Sequence, residues 1–267
     1  MAVDSTELQY ERRGAGPPLL LVQGMGANSL HWGEPFLTAL ERDFEFMLYD
    51  HRGAGRSAPL VGDLTIAGLA ADALGLLDAL AIEDAHVLGV SMGGMVAQDL
   101  ALAAPARIRT LTLGCTSCGG TQSRPTSRHV VQRLTAAVLS RDFDRVLRTA
   151  FELVVSPAHA AEPAHYADFA AAKHHPPSLP LLMEQKIAVE AHDRYARLRA
   201  IRAPTLVIHG TADELLAPVN GDLVASLIPG ARLELLEGVG HLFFWEQPER
   251  TAQLVREFAL GTAIPSG

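Results

Sequence analysis

The chain has 267 residues, enough for one large core or a core carrying an insertion, and its 48% hydrophobic and 19% charged content excludes a disordered protein. Its formal net charge of −8 excludes the clustered cationic surface that a nucleic-acid partner requires. With only Cys115 and Cys118, no disulfide framework holds the fold.

The first 13 residues are polar and acidic, without the basic start and apolar run of a secretory leader. No apolar stretch is long enough to span a bilayer, so the expectation is a cytoplasmic protein with no membrane partner. Next in the chain comes a predicted hairpin strand near residues 8–12. Short apolar runs follow at 19–23, 46–50, 86–90, 108–114, 205–209 and 233–236, each ended by glycine or a polar turn. Their leucine and β-branched content, with little alternation, suits strands buried on both faces. Helical periodicity fills 66–80, 94–103, 219–227 and 248–259. The alternation predicts an α/β fold in which β-α units surround a parallel sheet.

Residues 119–199 break this rhythm. They hold no convincing strand but several amphipathic helical patterns, such as Val131, Leu134 and Val138. The predicted organisation is a core of residues 1–118 and 200–267 with an inserted helical cap at 119–199. The run His174-His175-Pro176-Pro177-Ser178-Leu179-Pro180 makes a rigid connection within it, because proline fixes φ. The apolar residues Phe151, Leu153, Leu181 and Leu182 are expected to line an enclosed pocket.

Ser91 lies in Gly89-Val90-Ser91-Met92-Gly93, a G-x-S-x-G pattern between a buried strand and an apolar helix. On that sharp turn, side chains at positions 89 and 93 would collide with neighbouring chain, and the serine hydroxyl is presented above the sheet. The helix beginning near Met92 offers free backbone N–H groups to developing negative charge, the Met92 N–H first.

Blocks at Leu20-Leu21-Val22-Gln23-Gly24-Met25-Gly26, Asp50-His51-Arg52-Gly53-Ala54-Gly55-Arg56-Ser57, the Ser91 turn and Gly238-Val239-Gly240-His241 share an order and spacing. In these blocks the chain resembles the α/β-hydrolase superfamily over residues 8–260. The resemblance implies a mostly parallel sheet with helices on both faces. It also implies a second oxyanion donor, the Met25 N–H, on a turn where relatives usually have His-Gly and this chain has Gln23-Gly24.

A serine nucleophile needs a base, and among eleven histidines His241 follows Gly238 and Gly240 directly after the last predicted strand, on the same sheet edge as Ser91. Its position matches the family histidine. The other histidines sit mostly on predicted helices or in the cap, where exposure is expected; His209 ends a strand near the site and supports the acid loop. Asp213, just beyond the penultimate strand, is the expected carboxylate partner, and the chain order Ser, Asp, His is the one this fold uses. Asp222, on the following helix, is the alternative. Pro218 comes five residues after Asp213, one later than in many similar proteins. In the Asp50 to Ser57 block, Asp50 and Arg52 are expected to pair and brace a loop. Cys115 and Cys118 form a C-x-x-C without the further ligands that zinc needs.

Serine at position 91 separates the chain from haloalkane dehalogenases and epoxide hydrolases, which resemble this family but carry aspartate there. Gly24-Met25-Gly26, Asp50-His51-Arg52-Gly53 and Gly89-Val90-Ser91-Met92-Gly93-Gly94 resemble carboxylesterases and enol-lactonases. Carbon–carbon bond hydrolases, cofactor-free haloperoxidases or perhydrolases, and hormone receptors on the same fold are similar in these blocks. The resemblance implies hydrolysis of a small-molecule ester or lactone through a serine acyl-enzyme, with no cofactor and no metal.

Overall fold

The computed structural model describes residues 7–172 and 174–262, so the reading of the first six residues falls outside it. The strands are β1 (Tyr10–Gly14), β2 (Pro18–Val22), β3 (Glu45–Tyr49), β4 (Ala85–Val90), β5 (Ile108–Gly114), β6 (Thr205–Gly210) and β7 (Arg232–Leu236). They form one sheet in the order β1-β3-β2-β4-β5-β6-β7. All neighbours are parallel except β1 and β3, which pair antiparallel with Tyr10 opposite Tyr49 and Gly14 opposite Glu45.

The predicted first hairpin is therefore corrected, because β1 pairs with β3 and not with β2, its neighbour in sequence. Burial explains the choice. Leu19, Leu20, Leu21 and Val22 of β2 are all buried, whereas β1, Tyr-Glu-Arg-Arg-Gly, is almost wholly exposed. A polar strand belongs at the sheet edge and an apolar one needs neighbours on both sides.

The helices are α1 (Glu34–Leu40), α2 (Ile66–Ala79), α3 (Met92–Ala103), α4 (Arg128–Leu139), α5 (Phe143–Val154), α6 (Pro157–Ala160), α7 (Pro163–Ala171), α8 (Leu179–Ala191), α9 (Val219–Leu227), α10 (Phe243–Glu246) and α11 (Pro248–Gly261). Successive residues of a strand face opposite ways. Leu19 and Leu21 accordingly pack with Phe36 and Leu40 of α1 and Leu254 and Val255 of α11. Leu20 and Val22 pack with Leu69 of α2, Val96 and Leu100 of α3 and Val224 of α9. Two apolar layers thus sandwich the sheet.

Five helices, α4 to α8, lie between β5 and β6, and among the described residues 119–199 contribute only an isolated bridge from Gly119 to Asp193. The apolar pattern on α4 does not face inward as its periodicity suggests: Val131 and Val138 are exposed, while Val130 and Ala137 are buried. The loop after β3 also differs from its reading. Arg52 grips Asp72 of α2 (2.5 and 2.6 Å), and Asp50 instead accepts the Ser29 and Arg56 amides (2.7 and 2.8 Å). Arg52 therefore ties the loop to a helix, and Asp50, 1% exposed, satisfies backbone donors.

His31, His51, His86 and His192 are all buried, as expected for His86 in its strand but against the exposure expected in the cap for His192. Each has a hydrogen-bond partner that offsets burial: His31 Nδ1 accepts the Asn28 amide, His51 Nε2 donates to Gln23 O, His86 meets the Thr110 hydroxyl and His192 meets the Gln98 carbonyl. Burial lowers the pKa of His51 and pushes His86 and His192 down to about 4. Below about pH 6.5 the unfolded chain binds protons on these rings that the folded chain refuses. Stability is therefore full above that pH and declines as pH falls toward 4. Urea unfolding at pH 7, 5.5 and 4.5 should show this decline, and His86→Gln with His192→Gln should flatten it. An equally steep decline in the double variant would remove His86 and His192 as its cause.

Candidate active site

Ser91 is the hinge between β4 and α3, with φ 58° and ψ −123°. A non-glycine residue in that region carries about 1–3 kcal/mol of strain, which the surroundings must hold. Its N–H donates to Gly114 O (2.9 Å), and its carbonyl accepts the amides of Gly94 (2.9 Å) and Met95 (3.3 Å) and the Thr116 hydroxyl (2.7 Å). The flanking glycines are required by close approach. A Cβ at position 93 would lie 2.1 Å from Val22 O, and one at position 89 would lie 2.2 Å from Gly93 O.

The turn after β2 lies against this hinge. A Cβ on Gly24 would come 3.0 Å from Ser91 Cβ and 3.6 Å from Ser91 Oγ. β2 and β4 are also where the strand order reverses, with β3 on one side of the pair and β5 on the other, the position at which open α/β sheets form a crevice. Within the turn, Gly24 N–H donates to Gln23 Oε1 (3.1 Å), Gly26 N–H to Gln185 Oε1 of α8 (2.9 Å) and Ala27 N–H to Gly24 O (3.3 Å). Among the described hydrogen bonds, these take up every amide of residues 24–27 except that of Met25. Gln23 thus braces the turn through its own side chain, and His51 Nε2–H holds its carbonyl (2.9 Å).

Asp213 follows β6 and His241 follows β7, and the two meet with Nδ1 and Oδ2 2.7 Å apart. Both are buried, at 5% and 3% exposure. Asp213 does not cap α9. Its Oδ1 accepts the amides of Leu215 and Leu216, each at 2.9 Å. His209 Nε2 lies 3.2 Å from Asp213 Oδ2 and 2.9 Å from Leu216 O. Both partners are acceptors, so this nitrogen carries the hydrogen and donates. Burial alone would raise the Asp213 pKa, but the combined pull of His241 and His209 holds it well below the usual carboxylate range. Asp222 lies on α9 and is exposed.

Cys115, His209 and Asp213 bring potential ligand atoms within 4.8 Å of one another. The donor set is nonetheless spent. The Asp213 oxygens are occupied as described, His209 Nε2 bears a proton, and burial raises the Cys115 thiol well above its ordinary range. Cys118 is buried beside the Ser123 hydroxyl (3.3 Å).

Residues 19–254 match the alpha/beta hydrolase family. The chain belongs to that family. It is 32% identical to a putative carbamate hydrolase RutD of Azorhizobium caulinodans over 91% of each chain. The solved structure of a hydrolase from Pseudomonas aeruginosa superposes with TM-score 0.83 at 35% identity, covering 98% of this chain and 97% of that one. The enol-lactonase of Burkholderia xenovorans superposes with TM-score 0.82 at 28% identity, covering 97% and 99%. The sheet and its helices are accordingly those of this hydrolase family.

Some residues that build the hydrolase site carry no sequence signal. Gln185 lies 159 positions from the Gly26 amide it accepts, and Thr116 looks like one of several polar residues after β5. His51 was legible only as part of the block after β3. No helix among the described residues is long and apolar enough to cross a membrane.

Proposed function

We propose that this hydrolase cleaves a small carboxylic ester or lactone through an acyl-enzyme on Ser91, with His241 as general base and Asp213 as its carboxylate partner. The observation that carries the reading is the 2.7 Å contact between His241 Nδ1 and a carboxylate on the same sheet edge as the strained serine. With Nδ1–H donated to Asp213, neutral His241 keeps a lone pair on Nε2 to take the Ser91 proton. Ser91 Oγ attacks the carbonyl carbon, and negative charge gathers on the carbonyl oxygen. The amides of Met92 and Met25 are the donors for that charge. Collapse expels the alcohol, which takes the proton back from His241. Water then repeats the sequence and frees the acid.

Residues 119–199 act in this reading as a cap over the site. Two contacts support it: Gln185 holds the Gly26 amide in the turn whose Gly24 lies against Ser91, and Val154 O accepts the Leu242 amide beside His241 (2.7 Å). In this reading a cap held at both places is expected to exclude water and to admit a small substrate, not a lipid interface. Against p-nitrophenyl acetate, butyrate and palmitate, a lactone panel and emulsified triglyceride, kcat/KM is expected to favour the small esters and lactones by about tenfold or more. Preference for palmitate or triglyceride would overturn the enclosed pocket.

Carbamates are the second reading, favoured by the name of the relatives at 32% and 34% identity. The tetrahedral chemistry is the same, so the choice lies in the pocket. Matched p-nitrophenyl carbamate and acetate decide it: faster turnover of the carbamate makes it the substrate class.

A further inference from the structure

His241 stands on a short loop between β7 and α10, and its placement depends on what holds that loop. Glu246, the last residue of α10, directs its carboxylate back to it. Oε1 accepts the Gly240 N–H (2.8 Å) and the Ser156 N–H (2.8 Å), and Oε2 accepts the Ser156 hydroxyl (2.5 Å). Gly240 is joined by a peptide bond to His241, and Ser156 caps α6 within the segment between β5 and β6. Hydrogen bonds to an ionised acceptor are about twice as strong as neutral ones, and here one carboxylate gathers three of them.

The same seam is closed by packing. A Cβ at position 240 would stand 2.5 Å from Val155 C and 2.6 Å from Ser156 N, so the histidine loop and the α5–α6 junction touch backbone to backbone. Leu242 and Trp245 pack against Phe151, Val155 and Phe169 of the insertion. The Gly240 and Ser156 amides lie outside any strand, and without Glu246 both lose their acceptor.

We propose that Glu246 is a positioning residue for His241, and that through Ser156 it makes the placement of the imidazole depend on the helical insertion. The proposal rests on His241 being the base. Without the two Ser156 donors Glu246 is released, and the Gly240 peptide can rotate. The imidazole then moves relative to Ser91 Oγ, and a misplacement of about 1 Å lowers the rate by about a hundredfold.

The test uses the full chain with Glu246→Ala, Glu246→Gln, Ser156→Ala and the Glu246→Ala, Ser156→Ala double variant. Turnover of p-nitrophenyl acetate is read beside the downfield NMR signal of the His241 Nδ1 proton, which reports its bond to Asp213 without needing turnover. Glu246→Ala is expected to lower kcat by about tenfold to a hundredfold with KM changed less than about threefold, and to broaden the proton signal. Glu246→Gln keeps a carbonyl oxygen for both amides and recovers most of the loss. The double variant is no worse than Glu246→Ala, because both changes break one clamp. Should Glu246→Ala not fold, Ser156→Ala carries the same readouts at about threefold to tenfold. Unchanged kcat and a sharp proton signal in the folded variants would overturn the proposal. Ser91→Ala is measured alongside: if it retains activity the triad reading fails, while the NMR signal still judges the clamp.

Discussion

Ser91→Ala is expected to lower turnover by about four orders of magnitude or more while leaving the fold intact. The local structure is held by the Ser91 backbone, whose N–H meets Gly114 O and whose carbonyl takes the Thr116 hydroxyl and two helix amides. None of these bonds uses Oγ, so alanine removes the nucleophile and little else. Ligand binding should survive, since the turn after β2 and the first turn of α3 keep their amides. Steady-state rates with p-nitrophenyl butyrate, together with mass mapping of a fluorophosphonate adduct, check it. The adduct should sit on the peptide containing Ser91 in the wild type and be missing from the variant. Activity within tenfold of wild type, or an adduct on another serine, would overturn the assignment.

Asp213→Asn should cost about a thousandfold to ten-thousandfold in kcat/KM, and the hydrogen bonds around it say why. Oδ1 receives two backbone N–H groups, from Leu215 and Leu216, so an asparagine must keep its oxygen there. Its NH2 group is then forced toward His241 Nδ1 and His209 Nε2. His241 can satisfy a donor only by moving its proton from Nδ1 to Nε2, which removes the lone pair that Ser91 needs. His209 cannot adapt in the same way, because its Nε2–H is also committed to Leu216 O. Asp222→Asn, on the exposed surface of α9, is the control and should stay within about twofold. If Asp222→Asn were the more damaging change, the acid would have been assigned to the wrong loop.

Much of the frame is legible in the amino-acid order. Short apolar runs ended by glycine or a polar turn locate the parallel strands to within a residue or so, since the central strands are buried on both faces; β7, at the sheet edge, departs from that expectation and is mostly exposed or half-buried. The glycines around Ser91 are legible for a steric reason, because Val22 O and Gly93 O leave no room for a Cβ at positions 93 and 89. The first strand is less so: its composition marks an edge, yet which edge follows from β2 needing two neighbours. Periodicity misled at α4, where Val131 and Val138 recur at helical spacing but point away from the packed face.

Covalent order and local sterics are enough to set the alternation of strands and helices, the turn at Ser91, and the Asp213 and His241 positions beyond the ends of β6 and β7. The side-chain partners emerge from packing alone. Arg52 reaching Asp72 instead of Asp50, Gln185 holding Gly26, His209 sharing Asp213 with His241, and Glu246 joining Gly240 to Ser156 are such pairings. Most of them link segments far apart in the chain, and all are chosen by which buried donor lacks an acceptor once the sheet has closed. Local composition carries no trace of that need, because an unsatisfied backbone amide exists only after packing has removed its water.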